Sequence, residues 1–364
     1  MRKNTNFFII SRIIIGGSFV LFSIIPITLS CILSCIVYLL STINNTPLLK
    51  TDREDVIKLI NEFTNSEPSF KSIWLKNNRI HVLHYNCGLP NNEKKTPILF
   101  AHGTMSSSFS YIDFIKHSRD RDVYAIDLPG YGISEWFENL DPLDIKNRDI
   151  IFEQYRELFY HVLENIGKKK WILFGHSFGG FIIANSMLLR PVKKDGPIIE
   201  HYYLSGLPGL YNITNYTCFF GYILKYGLIE LLVKSKLRKQ MCLFPLYFFR
   251  NASTITKCNI ANFYNTDAVN GSYFVSTYIT RESLTLLYYN GALHVDLIKQ
   301  VKNCDNIKVT LINGQEDKLI DSNNIIVTSI LTERKMPCHI IPKIGHDLLT
   351  KENAQNIYDI INNV

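Results

Sequence analysis

The run Gly175-His176-Ser177-Phe178-Gly179, followed by Gly180, sets one hydroxyl between glycines, directly after the apolar run Trp171-Ile172-Leu173-Phe174 and directly before a helical pattern. Strand, turn and helix in that order are the context in which a G-x-S-x-G sequence makes a sharp nucleophile turn. Gly175 and Gly179 must be small because the turn brings two stretches of backbone close together. Ser177 then stands at a helix N-terminus, where the dipole and free N–H groups favour developing negative charge. The chemistry open to such a hydroxyl is attack on an acyl carbon, provided a base takes its proton. An incidental turn would carry the same letters, but the flanking strand and helix argue against it.

A base and an acid follow, in the chain order Ser, Asp, His. After the strand pattern Lys308 to Ile312 comes Asn313-Gly314-Gln315-Glu316-Asp317, and after the next comes Lys343-Ile344-Gly345-His346-Asp347. Asp317 would fix the tautomer of His346, which would act first as base and then as acid. Glu316 and Asp321 compete for the acid role, and Asp347 reads as a cap or first-turn acid of the last helix. The chain has ten histidines, so His346 means little alone; what singles it out is its place at the end of a strand next to that of Asp317. An oxyanion needs two donors, the N–H of Phe178 and a second from the loop Phe100-Ala101-His102-Gly103-Thr104. Gly103 lets that loop turn in close, and the Thr104 N–H is the natural donor. The run Ser106-Ser107-Ser108 reads as polar loop and helix start.

These groups need strands and helices to hold them. Apolar runs read as strands at Ile73 to Leu75, Ile80 to Tyr85, Ile98 to Ala101, Val123 to Ile126, Trp171 to Phe174, His201 to Leu204, Lys308 to Ile312 and His339 to Ile341. Helical patterns run from about Ile150 to Asn165, Gly179 to Leu189 and Ala354 to Ile361, with a helical connector from Asp52 to Phe63. The alternation predicts an α/β fold with a mostly parallel central sheet and helices on both faces. It stops between Gly206 and about Gln300, which reads as an inserted cap over the carboxyl ends of the strands, where ligands bind in such sheets. The cap holds Tyr211, Tyr216, Phe219, Phe220, Tyr222 and Phe248 among other aromatics, a lining suited to an acyl chain.

With these motifs in order, the chain resembles the α/β-hydrolase superfamily from roughly Ser72 to the C-terminus. His102-Gly103 with Ser107, Ser108 and Tyr111 is similar to the family's HG oxyanion loop. Asp127-Leu128-Pro129-Gly130-Tyr131-Gly132-Ile133-Ser134 matches its D-x-P-G-x-G-x-S turn, Gly175 to Gly179 its elbow, and Gly314-x-x-Asp317 with Gly345-His346 its acid and base loops. Members with an aspartate at the elbow use other chemistry. Ser177 at that position implies ester, thioester or amide substrates.

Composition limits the partners. A chain of 364 residues with 46% hydrophobic and 20% charged content suits one large domain plus an appendage. Its net charge of +7 comes from scattered Lys and Arg interleaved with acids, so nucleic acid is not an expected partner. The eight cysteines form no C-x-x-C pair, and neither metal nor cofactor is expected. From Ile13 to Leu40 there is no charged residue, longer than the about 20 residues that cross a bilayer. This reads as one transmembrane helix, with a cleaved signal peptide or a hairpin in one leaflet as alternatives. The organisation expected is a tail at 1–12, the span at 13–40, a connector at 41–70 and a hydrolase domain at 71–364. Arg12 abuts the span while Lys50 lies about ten residues beyond it, favouring a cytosolic N-terminus and a lumenal or extracellular domain, in the endomembrane system or at the cell surface. Sequons at Asn44, Asn212, Asn215, Asn251 and Asn270 fit that side. The basic cluster Lys234, Lys236, Arg238 and Lys239 reads as a solvated helix face or a contact for anionic headgroups.

The function expected is a membrane-anchored serine hydrolase of lipid or other hydrophobic acyl esters, such as monoacylglycerols or lysophospholipids. The alternatives are an acyltransferase or thioesterase on the same three residues, and a non-catalytic ligand-binding member of the fold.

Overall fold

The computed structural model describes residues 53–76, 79–103, 106–135, 137, 148–191, 193, 195–208, 293–317, 320, 322–333 and 335–363. Eight strands form one sheet: β1 (Phe70–Leu75), β2 (Ile80–Tyr85), β3 (Ile98–Ala101), β4 (Val123–Ile126), β5 (Lys170–His176), β6 (Ile198–Ser205), β7 (Val309–Gly314) and β8 (Cys338–Ile341). Their order is β1-β2-β4-β3-β5-β6-β7-β8. From β4 to β8 every pairing is parallel, and β2 runs antiparallel to both β1 and β4. In β3 and β4 every residue is buried, as strands covered on both faces require. Strands β1, β5 and β6 start earlier than expected, because Lys71, Lys170 and Glu200 interrupt or precede the apolar run while their backbone still extends the ladder.

Each face carries helices. Helices α1 (Arg53–Ser66), α2 (Ile112–Ile115) and α7 (Lys351–Asn363) bury Ile60, Phe114, Ile115, Ile357, Tyr358 and Ile361 on one side. On the other lie α3 (Arg148–Ile166), α4 (Phe178–Ile183, continued by a wider π turn over Ala184–Leu188), α5 (Leu293–Asn303) and α6 (Ser322–Leu331). Tyr155, Leu158, Phe159, Val162 and Leu163 recur at helical spacing along α3 and fill that core. Leu297 and Val301 of α5 join the same core, so the end expected for the cap, about Gln300, falls within a helix that packs on the sheet. The reason is packing: two apolar residues four apart, Leu297 and Val301, close the sheet's cover at this point.

The expected span at 13–40, the sequons, the basic cluster and the aromatic residues of the inserted stretch all lie outside the described residues. Among the described residues no helix is long and apolar enough to cross a membrane.

Phe174 of β5 sits at the middle of an aromatic cluster, with ring centroids 5.7 Å from Phe100, 5.9 Å from Phe114 and 6.1 Å from Tyr203. Phe174→Ala is expected to lower unfolding free energy in urea by about 3–5 kcal/mol, and a loss below about 1 kcal/mol would contradict this core assignment.

Candidate active site

The order reversal around β3 puts the loops after β3 and β5 side by side at the carboxyl end of the sheet, the switch point where such sheets bind ligands. At the end of β5 the chain turns straight into α4. Ser177 takes φ 50° and ψ −120°, a strained conformation for a residue with a Cβ. The turn is held from both sides. The Ser177 N–H donates to Ser205 O at 2.7 Å, and Phe181 N–H donates to Ser177 O at 3.1 Å. A Cβ on Gly179 would lie 2.2 Å from Ala101 O, and one on Gly175 would lie 2.5 Å from Gly180 Cα. Only hydrogen fits at either place. Ser177 is half-buried, and Phe178 opens the helix, where main-chain N–H groups have no intrahelical acceptor.

The Gly103 backbone lies against Ser177, and a Cβ there would be 3.2 Å from Ser177 Cβ. Its neighbour Thr104, the expected second donor, lies outside the described residues. His102 is fully buried and acts within the loop: its Nδ1–H donates to Gly103 O at 2.8 Å, while its Nε2 accepts from Leu128 N–H at 3.1 Å. Both ring nitrogens are thereby used by a neutral imidazole, and burial lowers its pKa, which suits that state.

His346 Nδ1–H donates to Asp317 Oδ2 at 2.7 Å, with the Asp317 side chain fully buried and that of His346 10% exposed. The second carboxylate oxygen accepts from Ile320 N–H at 2.9 Å. Asp317 comes from the turn after β7 and His346 from the loop after β8, so adjacent strands supply the pair. Of the competing acids, Glu316 uses its N–H on Ile344 O, which ties the two loops together, and Asp321 lies outside the described residues. Asp347 does not cap the last helix. That helix starts at Lys351, with Thr350 before it accepting from the Asn353 N–H, and Asp347 is shielded enough that burial raises its pKa.

Two contributors were not singled out from the sequence. Gly206, just past β6, has φ +54°, and a Cβ there would lie 3.0 Å from His346 Cε1. Its missing side chain is the space the imidazole occupies. The other is Asp127, 0% exposed, which joins three segments: Oδ1 accepts from Ser108 N–H at 2.7 Å, and Oδ2 accepts from His81 Nδ1–H at 2.9 Å and Ile133 N–H at 3.3 Å. Through Ser108 it anchors the far end of the loop that carries Gly103. Burial alone would raise its pKa, but the His81 hydrogen bond and the Ser108 N–H bring it below the usual 3.8.

Together these side chains offer a hydroxyl on a strained turn, an imidazole oriented by a buried carboxylate, and a helix N-terminus beside the hydroxyl. That combination is suited to nucleophilic acyl transfer. No cluster of His, Cys, Asp and Glu among the described residues could hold a metal ion.

Comparison with known proteins points the same way. A family described as the alpha/beta hydrolase family matches residues 98–228. An uncharacterized hydrolase of Bacillus subtilis, YugF, is 31% identical over 115 residues, 31% of this chain and 37% of the relative. The 1-acylglycerol-3-phosphate O-acyltransferase ABHD5 of Pongo abelii is 28% identical over 156 residues, 43% of this chain and 42% of the relative. The chain thus spans about two fifths of the length of these curated relatives. Among solved structures, the esterase RhEst1 of a Rhodococcus species superposes with a TM-score of 0.54 at 16% identity, covering 81% of this chain and 98% of that one. At that identity the likeness is one of fold.

Three outcomes follow from this geometry. Gly206→Val is expected to crowd His346 and cut labelling of Ser177 by a fluorophosphonate more than about tenfold while the protein stays folded, read by labelling rate and thermal melting. Asp127→Ala strands three buried donors and is expected to cost more than about 3 kcal/mol in urea. Because the folded-state pKa of Asp127 is depressed, its contribution is present above the unfolded value and fades as pH falls through the folded one. Asp127→Asn is therefore expected to flatten the loss of stability below about pH 4, measured by urea midpoints across pH.

Proposed function

We propose that this chain, which belongs to the α/β-hydrolase superfamily, is a serine hydrolase of hydrophobic carboxylic esters that works through Ser177, His346 and Asp317 and is tethered to a membrane by residues 13–40. The observation that carries the reading is the 2.7 Å contact of His346 with the buried Asp317, with the space that Gly206 leaves for that imidazole and Ser177 on its strained turn. In this scheme Ser177 Oγ attacks the acyl carbon and its proton passes to His346 Nε2. Asp317 stabilises the imidazolium, and the N–H groups of Phe178 and Thr104 receive the oxyanion. Collapse expels the alcohol with the proton held by His346. Water then enters by the same base and frees the acid and Ser177.

The acyl chain is assigned from the aromatic stretch between Gly206 and Gln300, and the tether from the uncharged run Ile13 to Leu40. The position of Arg12 favours a lumenal or extracellular hydrolase domain. A second reading, acyl transfer to an alcohol acceptor on the same residues, is favoured by the likeness to a 1-acylglycerol-3-phosphate O-acyltransferase.

Purified full-length protein is expected to hydrolyse p-nitrophenyl esters of medium-chain acids and to take a long-chain fluorophosphonate on Ser177, located by peptide mass spectrometry. Ser177→Ala should lower turnover at least about a thousandfold, and Asp317→Asn at least about a hundredfold. Turnover that survives Ser177→Ala would overturn the assignment. Adding a lysophospholipid acceptor and following product separates the two readings: free acid marks hydrolysis, a new diacyl product marks transfer.

A further inference from the structure

A second Ser, His and Asp chain runs through the other end of the sheet. Ser72 of β1 lies 3.2 Å from His81 Nε2 through its Oγ, and His81 Nδ1 lies 2.9 Å from Asp127 Oδ2. The direction of the chain follows from Asp127. Its carboxylate accepts the Ser108 and Ile133 N–H groups, so it is an acceptor towards His81 too, and the His81 proton sits on Nδ1. With that proton on Nδ1, the lone pair of an unprotonated Nε2 is directed at the Ser72 hydroxyl. This is the polarity that turns a serine into a nucleophile: hydroxyl to Nε2, Nδ1–H to a buried carboxylate.

The ring is held in that orientation. His81 is 0% exposed, stacks on Phe109 at 5.8 Å and 10°, and meets Trp74 at 5.1 Å. The antiparallel register pairs Trp74 with His81 and Ser72 with Leu83, so Ser72 reaches His81 diagonally across adjacent strands on one face. Ser72 itself is partly exposed on the outermost strand, whereas its two partners are sealed inside.

We propose that Ser72 is a second activated hydroxyl, an acceptor site for a compact acyl or phosphoryl electrophile. Ser72 Oγ forms the bond to the acyl carbon or phosphorus. Its proton passes to His81 Nε2, and the resulting imidazolium is paired with the Asp127 carboxylate. The leaving group departs with its bonding electrons and then takes the proton from His81, leaving an ester at Ser72. Ser72 lies within an extended strand, not at a helix N-terminus as Ser177 does, so the site is one of stoichiometric modification and not of turnover.

The test uses the full-length chain and diisopropyl fluorophosphate, a small phosphoryl electrophile, with adducts located by peptide mass spectrometry. In Ser177→Ala the adduct is expected on Ser72, about a hundredfold slower than on Ser177 in the unmodified chain, and lost in the double variant with Ser72→Ala. The unmodified chain, first blocked at Ser177 with a long-chain fluorophosphonate and then treated with the small reagent, should give the same Ser72 adduct without any substitution. Absence of a Ser72 adduct in both preparations overturns the proposal. An adduct on Ser72 with none on Ser177 in the unmodified chain supports it while defeating the hydrolase reading, so the two fail separately.

Discussion

Where α4 crosses β3, backbone meets backbone with no room for a methyl group. A Cβ on Gly179 would stand 2.2 Å from the Ala101 carbonyl oxygen and 2.5 Å from that of His102. This contact fixes how far the helix can settle onto the sheet, and with it the height of the Ser177 turn above the loop after β3. Ala101 and Gly175 are register partners in β3 and β5, so the two loops leave the sheet at one level. The hydroxyl of one then faces the turning backbone of the other. A helix displaced outward by one methyl would carry the Phe178 N–H away from the same point. The strained φ of Ser177 is the local cost of this close approach, of the order of 1–3 kcal/mol.

A second frame ties loops instead of packing backbone. Asp127 reaches the chain after Gly103, the turn after β4 and strand β2 with two oxygens. Because it is wholly buried, each contact replaces water that the carboxylate would otherwise hold, and loss of the acid would leave the donors unsatisfied. The His102 ring adds a short brace between Gly103 and Leu128. The nucleophile turn is thus held by steric contact, and the facing loop by polar contact.

Much of this was legible in the residues. Short apolar runs such as Ile98 to Ala101 and Val123 to Ile126 coincide with strands, because a strand buried on both faces leaves an uninterrupted apolar record. The helix Ser322–Leu331 left no such record: Ile326, Val327 and Ile330 are exposed while Ile325 is buried, so its apolar residues make no stripe. That α5 packs on the sheet has no mark in the sequence, because Leu297 and Val301 continue the apolar and basic mixture before them and only contact shows that they join the core. For the site, G-x-S-x-G and the loops with Asp317 and His346 are local in sequence. The pairing of His81 with Asp127, 46 residues apart, has no local mark, since Ile80 to Tyr85 reads only as a strand. Gly206 was legible as a boundary, and its steric role emerges only beside His346.

The interior position of β5 and the edge position of β8 divide the site mechanically. Ser177 hangs from β5, bonded on both sides and covered on both faces, whereas His346 follows β8, which is bonded on one side only and mostly half-buried. Ser177 therefore shares the cooperativity of the interior of the sheet, and His346 that of one of its margins. An opening of that margin would displace His346 and leave the Ser177 turn in place. The two halves of the site thus answer to different parts of one sheet.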